Sequence, residues 1–159
     1  MRFCLFSNNN TSLPDIFKAK LVAKARVTGS ALYNKVWGDV LFYNLPQGVV
    51  VVTEMHNLPK TTTNIFAQHI HSGEICEGDF ESAKGHYNPL NQPHPNHAGD
   101  LPPLFSNDGY AFGAVLTNRF KIEDVENLTF IIHNSPDDFK TQPAGDAGVR
   151  IACGIIKLV

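Results

Sequence analysis

The stretch GHYNPLNQPHPNHAGDLP, residues 85–102, carries His86, His94, His97 and Asp100 among prolines and asparagines. It has neither helical nor strand periodicity, so these four side chains cannot all be residues of an ordinary apolar core. His94, His97 and Asp100 follow one another at intervals of three, and a mixed set of imidazoles and a carboxylate suits tetrahedral zinc. A polar surface loop is the plain alternative. Upstream, His69 and His71 form HIH at the end of an apolar run. Side chains two apart on a strand share a face, about 6.6 Å apart along the chain. Both rings could hold one ion while Ile70 faces the core, although two exposed histidines on a polar face would look the same. His133 closes the apolar run FIIH, a place that a core-edge histidine also fills. His56, in TEMHNLP, has no ligand-like neighbour and reads as a surface residue.

The chain that must position these groups has 159 residues, 43% of them hydrophobic and 18% charged. That is most simply one soluble domain, with enough chain to bury a core. A formal net charge of −2 and the lack of a basic stripe argue against nucleic acid as a partner. No apolar run approaches membrane-spanning length, so no membrane partner is expected either. Charge is uneven: residues 1–60 hold seven Lys/Arg against three Asp/Glu, whereas residues 61–159 hold six against twelve. The second part also holds six of the seven histidines. It would gain most from bound cations, and a solvated acidic face is the bland alternative.

An N-terminal extension is expected over residues 1–18, with one helical turn at PDIFK, followed by a single domain over 19–159. Short strands fill most of that domain. LVAKARVTG alternates apolar and polar residues, and NKVWGDVLFYNL and GVVVVTEMHNL flank the turn PQG. NIFAQHIHSG, GYAFGAVLTNRF (after the turn NDG), LTFIIHNSP and GVRIACGIIKLV complete the series. Short strands separated by turns, with neither a strong helical pattern nor a fixed repeat, imply an antiparallel sandwich or barrel. Two segments, about 72–107 and 134–147, show no strand pattern. Loops of that length are uncommon unless functional or disordered, and both are rich in ligand-type residues. No outer face reads as decisively apolar, so oligomeric state stays open.

Taken in order, HIHSGEIC, GHYNP, HAGDLP, IIHNSPDDF and AGDAGVRIACGII resemble the copper/zinc superoxide dismutases, and the bacterial members in particular. The resemblance spans roughly residues 20–159 and engages seven ligand positions. It implies an all-β, eight-stranded Greek-key barrel with two long functional loops. It places copper on His69, His71, His86 and His133, and zinc on His86, His94, His97 and Asp100, with His86 bridging. Imidazole can do this because it has two ring nitrogens. By the same resemblance Asp137 is the carboxylate that orients a copper-side and a zinc-side histidine, with Asp138 its competitor. Cys76 and Cys153 form the family's disulfide, leaving Cys4 free, and Arg150 attracts the anionic substrate.

The implied activity is an antioxidant oxidoreductase, disproportionating superoxide to oxygen and hydrogen peroxide with copper and zinc as cofactors. His86 and Arg150 would carry the chemistry, and a homodimer is allowed. Members of this family are known for electrostatic steering and near-diffusional rates. Here the segment FKTQPAGDAGV is short and Lys140 is its only cation. The stretch SGEICEGDFE instead places Glu74, Glu77, Asp79 and Glu81 near the copper mouth, which implies weaker steering.

Two other readings compete. A non-catalytic copper/zinc-binding protein of the same fold would keep the ligands but could dispense with Arg150. A cupin-type mononuclear metalloenzyme would use HIHSGE with Glu74 as third ligand, and would leave His94 and His97 without a role. For compartment, the asparagines of MRFCLFSNNN cut the apolar start too short for a signal peptide, which favours the cytoplasm by default. A disulfide favours export.

Overall fold

The computed structural model describes residues 19–159. The expected N-terminal extension, its turn at PDIFK and Cys4 lie outside the described residues. The chain forms β1 (Lys20–Gly29), β2 (Trp37–Leu45), β3 (Gly48–His56), β4 (Ile65–His71), β5 (Asp100–Asn107) and β6 (Tyr110–Thr117). A one-turn helix α1 (Ile122–Val125) follows, then β7 (Thr129–His133), β8 (Arg150–Ile155) and the two-residue β9 (Lys157–Leu158).

Strands run in the order β2-β3-β6-β5-β4-β7-β8-β1, and β1 pairs with β2 again, closing an eight-stranded antiparallel barrel. The spatial order β7-β4-β5-β6 is a Greek key, since three consecutive strands are flanked by one that returns beside the first. β9 adds only a short pairing with β1. The last strand read from the sequence is broken at Ile156, which turns fully into the core.

The strands form because their periodicity buries one face. In β2, Val40 and Phe42 point inward while Asp39 and Tyr43 point outward. Phe42, Phe66, Phe130, Leu104, Ile132 and Ile151 fill the barrel. Burying each such side chain contributes roughly 1.5–3 kcal/mol. The Asn107–Tyr110 hairpin turns through Asp108 and Gly109, both at positive φ, as its NDG sequence anticipates.

β4 and β7 depart from alternation in a way that matters for function. Six of the seven residues of β4 and all five of β7 are buried. Phe66, Ile70, Phe130 and Ile132 face the core. The opposite faces, carrying His69, His71 and His133, are covered by the two long loops.

The first of those loops is shorter than the sequence implies. Residues 100–107 form β5, which was hidden because Pro102 and Pro103 cannot donate ladder hydrogen bonds. The register slips opposite this pair, between Phe66 and Gln68, and the Gln68 side chain donates to the Pro102 carbonyl at 2.7 Å. Outside the barrel, Tyr110, Phe112 and Leu116 of β6 and Phe105 of β5 are exposed. One outer face is therefore more apolar than the sequence suggested.

Cys76 and Cys153 are joined, tying the first loop to β8 across a separation of 77 residues. Around the bridge, Phe80, Ala83 and Ile131 make a second small core. Reducing it should destabilise the protein by up to about 4–5 kcal/mol in the chain-entropy picture. Denaturant midpoints with and without reductant measure this. An unchanged midpoint would mean that the packing around Phe80 holds the loop unaided.

Candidate metal centre

β4 ends in His69-Ile70-His71, and the pleat sends Ile70 into the core and both rings to the other side, centroids 6.3 Å apart. β7 delivers His133 beside them, its Nε2 3.3 Å from His71 Nε2. His86 arrives from the loop on a single bridge to His71, and its ring lies 4.0 Å from that of His69. His94, His97 and Asp100 close over its other edge. His86 Nδ1 is 2.7 Å from Asp100 Oδ1 and 3.4 Å from His97 Nδ1, and His94 Nδ1 is 3.0 Å from Asp100 Oδ2. The loop residues are buried after all, with His94, His97 and Asp100 each at most 6% exposed, in a polar cluster rather than the apolar core.

Two groups of four can each hold a metal ion: His69, His71, His86 and His133, then His86, His94, His97 and Asp100, with ligand atoms inside 4.8 Å. His86 belongs to both. The donor chemistry fits two metals, because three buried ring nitrogens make no hydrogen bond: His69 Nδ1, His86 Nε2 and His94 Nδ1, the last lying close to Asp100 Oδ2 but without hydrogen-bonding geometry. A buried polar atom left unpaired is costly. Each belongs to a residue of one of the two groups, and an ion bound there could satisfy it.

The remaining nitrogens are held from behind. The His71 Nδ1–H donates to the Lys84 carbonyl at 2.9 Å, and that of His133 to the Gly148 carbonyl at 3.2 Å. Asp137 accepts from His69 Nε2 and His94 Nε2, both at 2.9 Å, so one carboxylate spans the two groups. Asp138 instead caps the turn at Lys140 and Thr141. Gly145 sits against Asp137 at φ +68°, where a Cβ would strike the carboxylate and the His94 ring.

These surroundings set protonation. Burial lowers His69 to about 4, against the hydrogen bond it donates to Asp137, and lowers His133 to about 3. Burial also drives His71 well below the ordinary value. Burial pushes the Asp137 carboxyl up, but hydrogen bonds from His69, the Phe139 amide and His94 outweigh it and hold it at about 2. At neutral pH His69, His71 and His133 are therefore neutral imidazoles and Asp137 is ionised; neutral rings are the form that binds metal.

A pH dependence follows. An unfolded histidine gains a proton below about 6.5, whereas folded His69 stays neutral to about 4. The unfolded state thus binds more protons in that window, and stability is lost as pH falls through it. The metal-free protein should unfold at progressively lower temperature from pH 6.5 to 4. A flat thermal midpoint over that range would contradict the burial of these rings.

A cleft of about 690 Å³ leads to the His71, His86 and His133 rings and is also lined by Arg150, Asp79 and Glu81. Glu74 and Glu77 are not among its lining residues, so only half of the acidic stretch faces it. Glu74 is exposed and belongs to neither metal group. The Arg150 guanidinium donates to the Phe80 and Lys84 carbonyls. His56 is half-buried and stacks on Trp37, ring centroids 4.0 Å apart, away from the cluster. Sequence reasoning missed Arg119 and Gln142, whose side chains bond the main chain of residues 94–97. Neither has a ligand-type spacing that would have flagged it.

Residues 36–156 match the family model described as copper/zinc superoxide dismutase. A Cu-Zn superoxide dismutase of Aquifex aeolicus is 39% identical over 126 residues, covering 69% of this chain and 73% of that protein. The Cu-Zn superoxide dismutase of Legionella pneumophila is 37% identical over 128 residues, covering 76% of this chain and 77% of the relative. Among solved structures, the Cu/Zn superoxide dismutase from Brucella abortus superposes with a TM-score of 0.71 at 26% identity, covering 84% of this chain and 98% of that one. A closed Greek-key barrel, two histidine-rich groups sharing one ring and these matches lead to one conclusion: the chain belongs to the copper/zinc superoxide dismutase family.

Proposed function

We propose that this chain disproportionates superoxide to oxygen and hydrogen peroxide, and that residues 19–159 are a single domain built for that reaction. The observation that carries the reading is His86, whose two nitrogens face two different ligand groups. Copper would be held by His69, His71, His86 and His133, and zinc by His86, His94, His97 and Asp100. When bound, copper would supply reversible one-electron chemistry and zinc a fixed positive charge beside it.

The protein's own groups do the rest. Arg150 presents positive charge in the cleft lining and draws in the anion. His86 Nε2 holds a proton when it is not ligating, close to where peroxide must be protonated, and water supplies the second. The balance is two superoxide and two protons to one oxygen and one hydrogen peroxide. Asp137 keeps His69 and His94 in the tautomer that leaves Nδ1 free for metal.

Supporting the catalytic reading over a purely metal-binding one, Arg150 is retained and lines the cleft. The exposed Glu74 removes the third ligand that a cupin would need. A net charge of −2 fits a small-molecule substrate rather than nucleic acid or a membrane surface. A homodimer is compatible with the apolar outer face of β5 and β6. Elemental analysis of the reconstituted protein with a superoxide assay tests the reading. One copper and one zinc per chain with activity are expected; saturation at one metal ion, or two metals without activity, rejects it.

A further inference from the structure

The ring nitrogens of His94 and His97 can converge only if the main chain between them is held, and that segment belongs to no strand. Its carbonyls are taken instead by two side chains from elsewhere. Arg119 lies two residues beyond β6, in the connection to α1, and its Nη1 donates to the Pro95 carbonyl at 2.9 Å and the His97 carbonyl at 3.2 Å. Gln142, in the second loop, clasps His94 in both directions. Its Oε1 accepts from the His94 amide at 3.0 Å and its Nε2 donates to the His94 carbonyl at 2.7 Å. That pair imitates one rung of a β-ladder, made by a side chain.

The two contacts come from independent supports. Arg119 ties residues 95–97 to the connection that follows β6. Gln142 refers His94 to the loop that also carries Asp137, whose Oδ1 fixes the far nitrogen of the same ring. Within the segment itself, the turn is closed by the Asn96 amide on the Pro93 carbonyl, the Asp100 amide on the His97 carbonyl and the His97 amide on the Asp100 carboxylate. Three hydrogen bonds that would otherwise go to water thus hold the His94 and His97 main chain in place.

We infer that Arg119 and Gln142 are positioning residues that preform the zinc half of the centre before metal arrives. Neither touches metal or substrate. They act through His94 and His97, lowering the ordering cost that zinc binding would otherwise bear. Three of the four copper-side histidines are set on β4 and β7, which neither Arg119 nor Gln142 bonds. The inference rests on the reading that His86, His94, His97 and Asp100 take zinc.

The test is the affinity of the metal-free protein for zinc and for copper separately, each by competition with a chromophoric chelator. Arg119→Ala and Gln142→Ala should each weaken zinc roughly tenfold, the scale of losing a charge-assisted or paired hydrogen bond. Copper affinity should change less than about twofold on that scale. Arg119→Lys should recover part of the loss, since an ammonium can still reach one carbonyl. Thermal unfolding of each metal-free variant checks that the barrel is intact. Unchanged zinc affinity in both alanine variants, or equal weakening of both metals with no recovery by lysine, overturns the inference. If the wild-type protein itself takes no zinc, the reading of the site has failed, and the inference falls with it.

Discussion

Replacing His86 by alanine should lower the superoxide rate roughly 10²–10⁴-fold, the range associated with losing a positioned proton-transfer group. Each metal would still keep three protein ligands: His69, His71 and His133 on one side, His94, His97 and Asp100 on the other. Both should bind, more weakly, and the copper spectrum should lose the contribution of a ring shared with zinc. His94→Ala is the control. It removes a ligand from the second group only, so it should weaken zinc while leaving the four histidines of the first group. It also takes the His94 ring away from Asp137 Oδ1, loosening the loop, while the Gln142 clasp on the main chain at position 94 remains. Full activity and an unchanged copper spectrum in His86→Ala would show that His86 does not join the two groups, whatever the geometry of its nitrogens.

The parts of this centre that the sequence made legible are those governed by short-range periodicity or by residue type. HIH on a strand end had to put two rings on one face, because the strand period is two and Ile70 is apolar. Asp137, Cys76 and Cys153, and Arg150 were legible only through the resemblance to a family, since none has a local signature. β5 escaped notice because a strand that contains Pro102 and Pro103 lacks two donors, and Gln68 supplies a contact that no pattern records. Arg119 and Gln142 were illegible for a related reason. They bond main-chain atoms, and main-chain partners carry no residue identity to search for. The acidic stretch shows a third limit. Spacing along a loop does not say which side chains turn inward, and only Asp79 and Glu81 of the four line the cleft.

Changing Arg150 to isoleucine should lower the rate at low superoxide by roughly tenfold or more, the low end of what charge focusing in a cleft is worth. Both metals should stay bound, because Arg150 ligates nothing. Part of the loss will come from position rather than charge. The Lys84 carbonyl accepts from Arg150 Nη2 at 2.6 Å and from His71 Nδ1 at 2.9 Å, so losing the guanidinium removes one of two anchors beside a copper-side ring. Salt separates the two contributions, because screening acts on attraction over distance and not on a hydrogen bond already made. Glu81, its carboxylate 3.8 Å from Arg150 Nη1, and Asp79 oppose the same attraction. Asp79→Asn with Glu81→Gln should therefore speed the reaction, most at low ionic strength. Glu74→Gln with Glu77→Gln should do less, since neither lines the cleft. Rates that are independent of salt and equal in both double variants would rule out steering at this mouth and leave Arg150 only its anchoring of the Phe80 and Lys84 carbonyls.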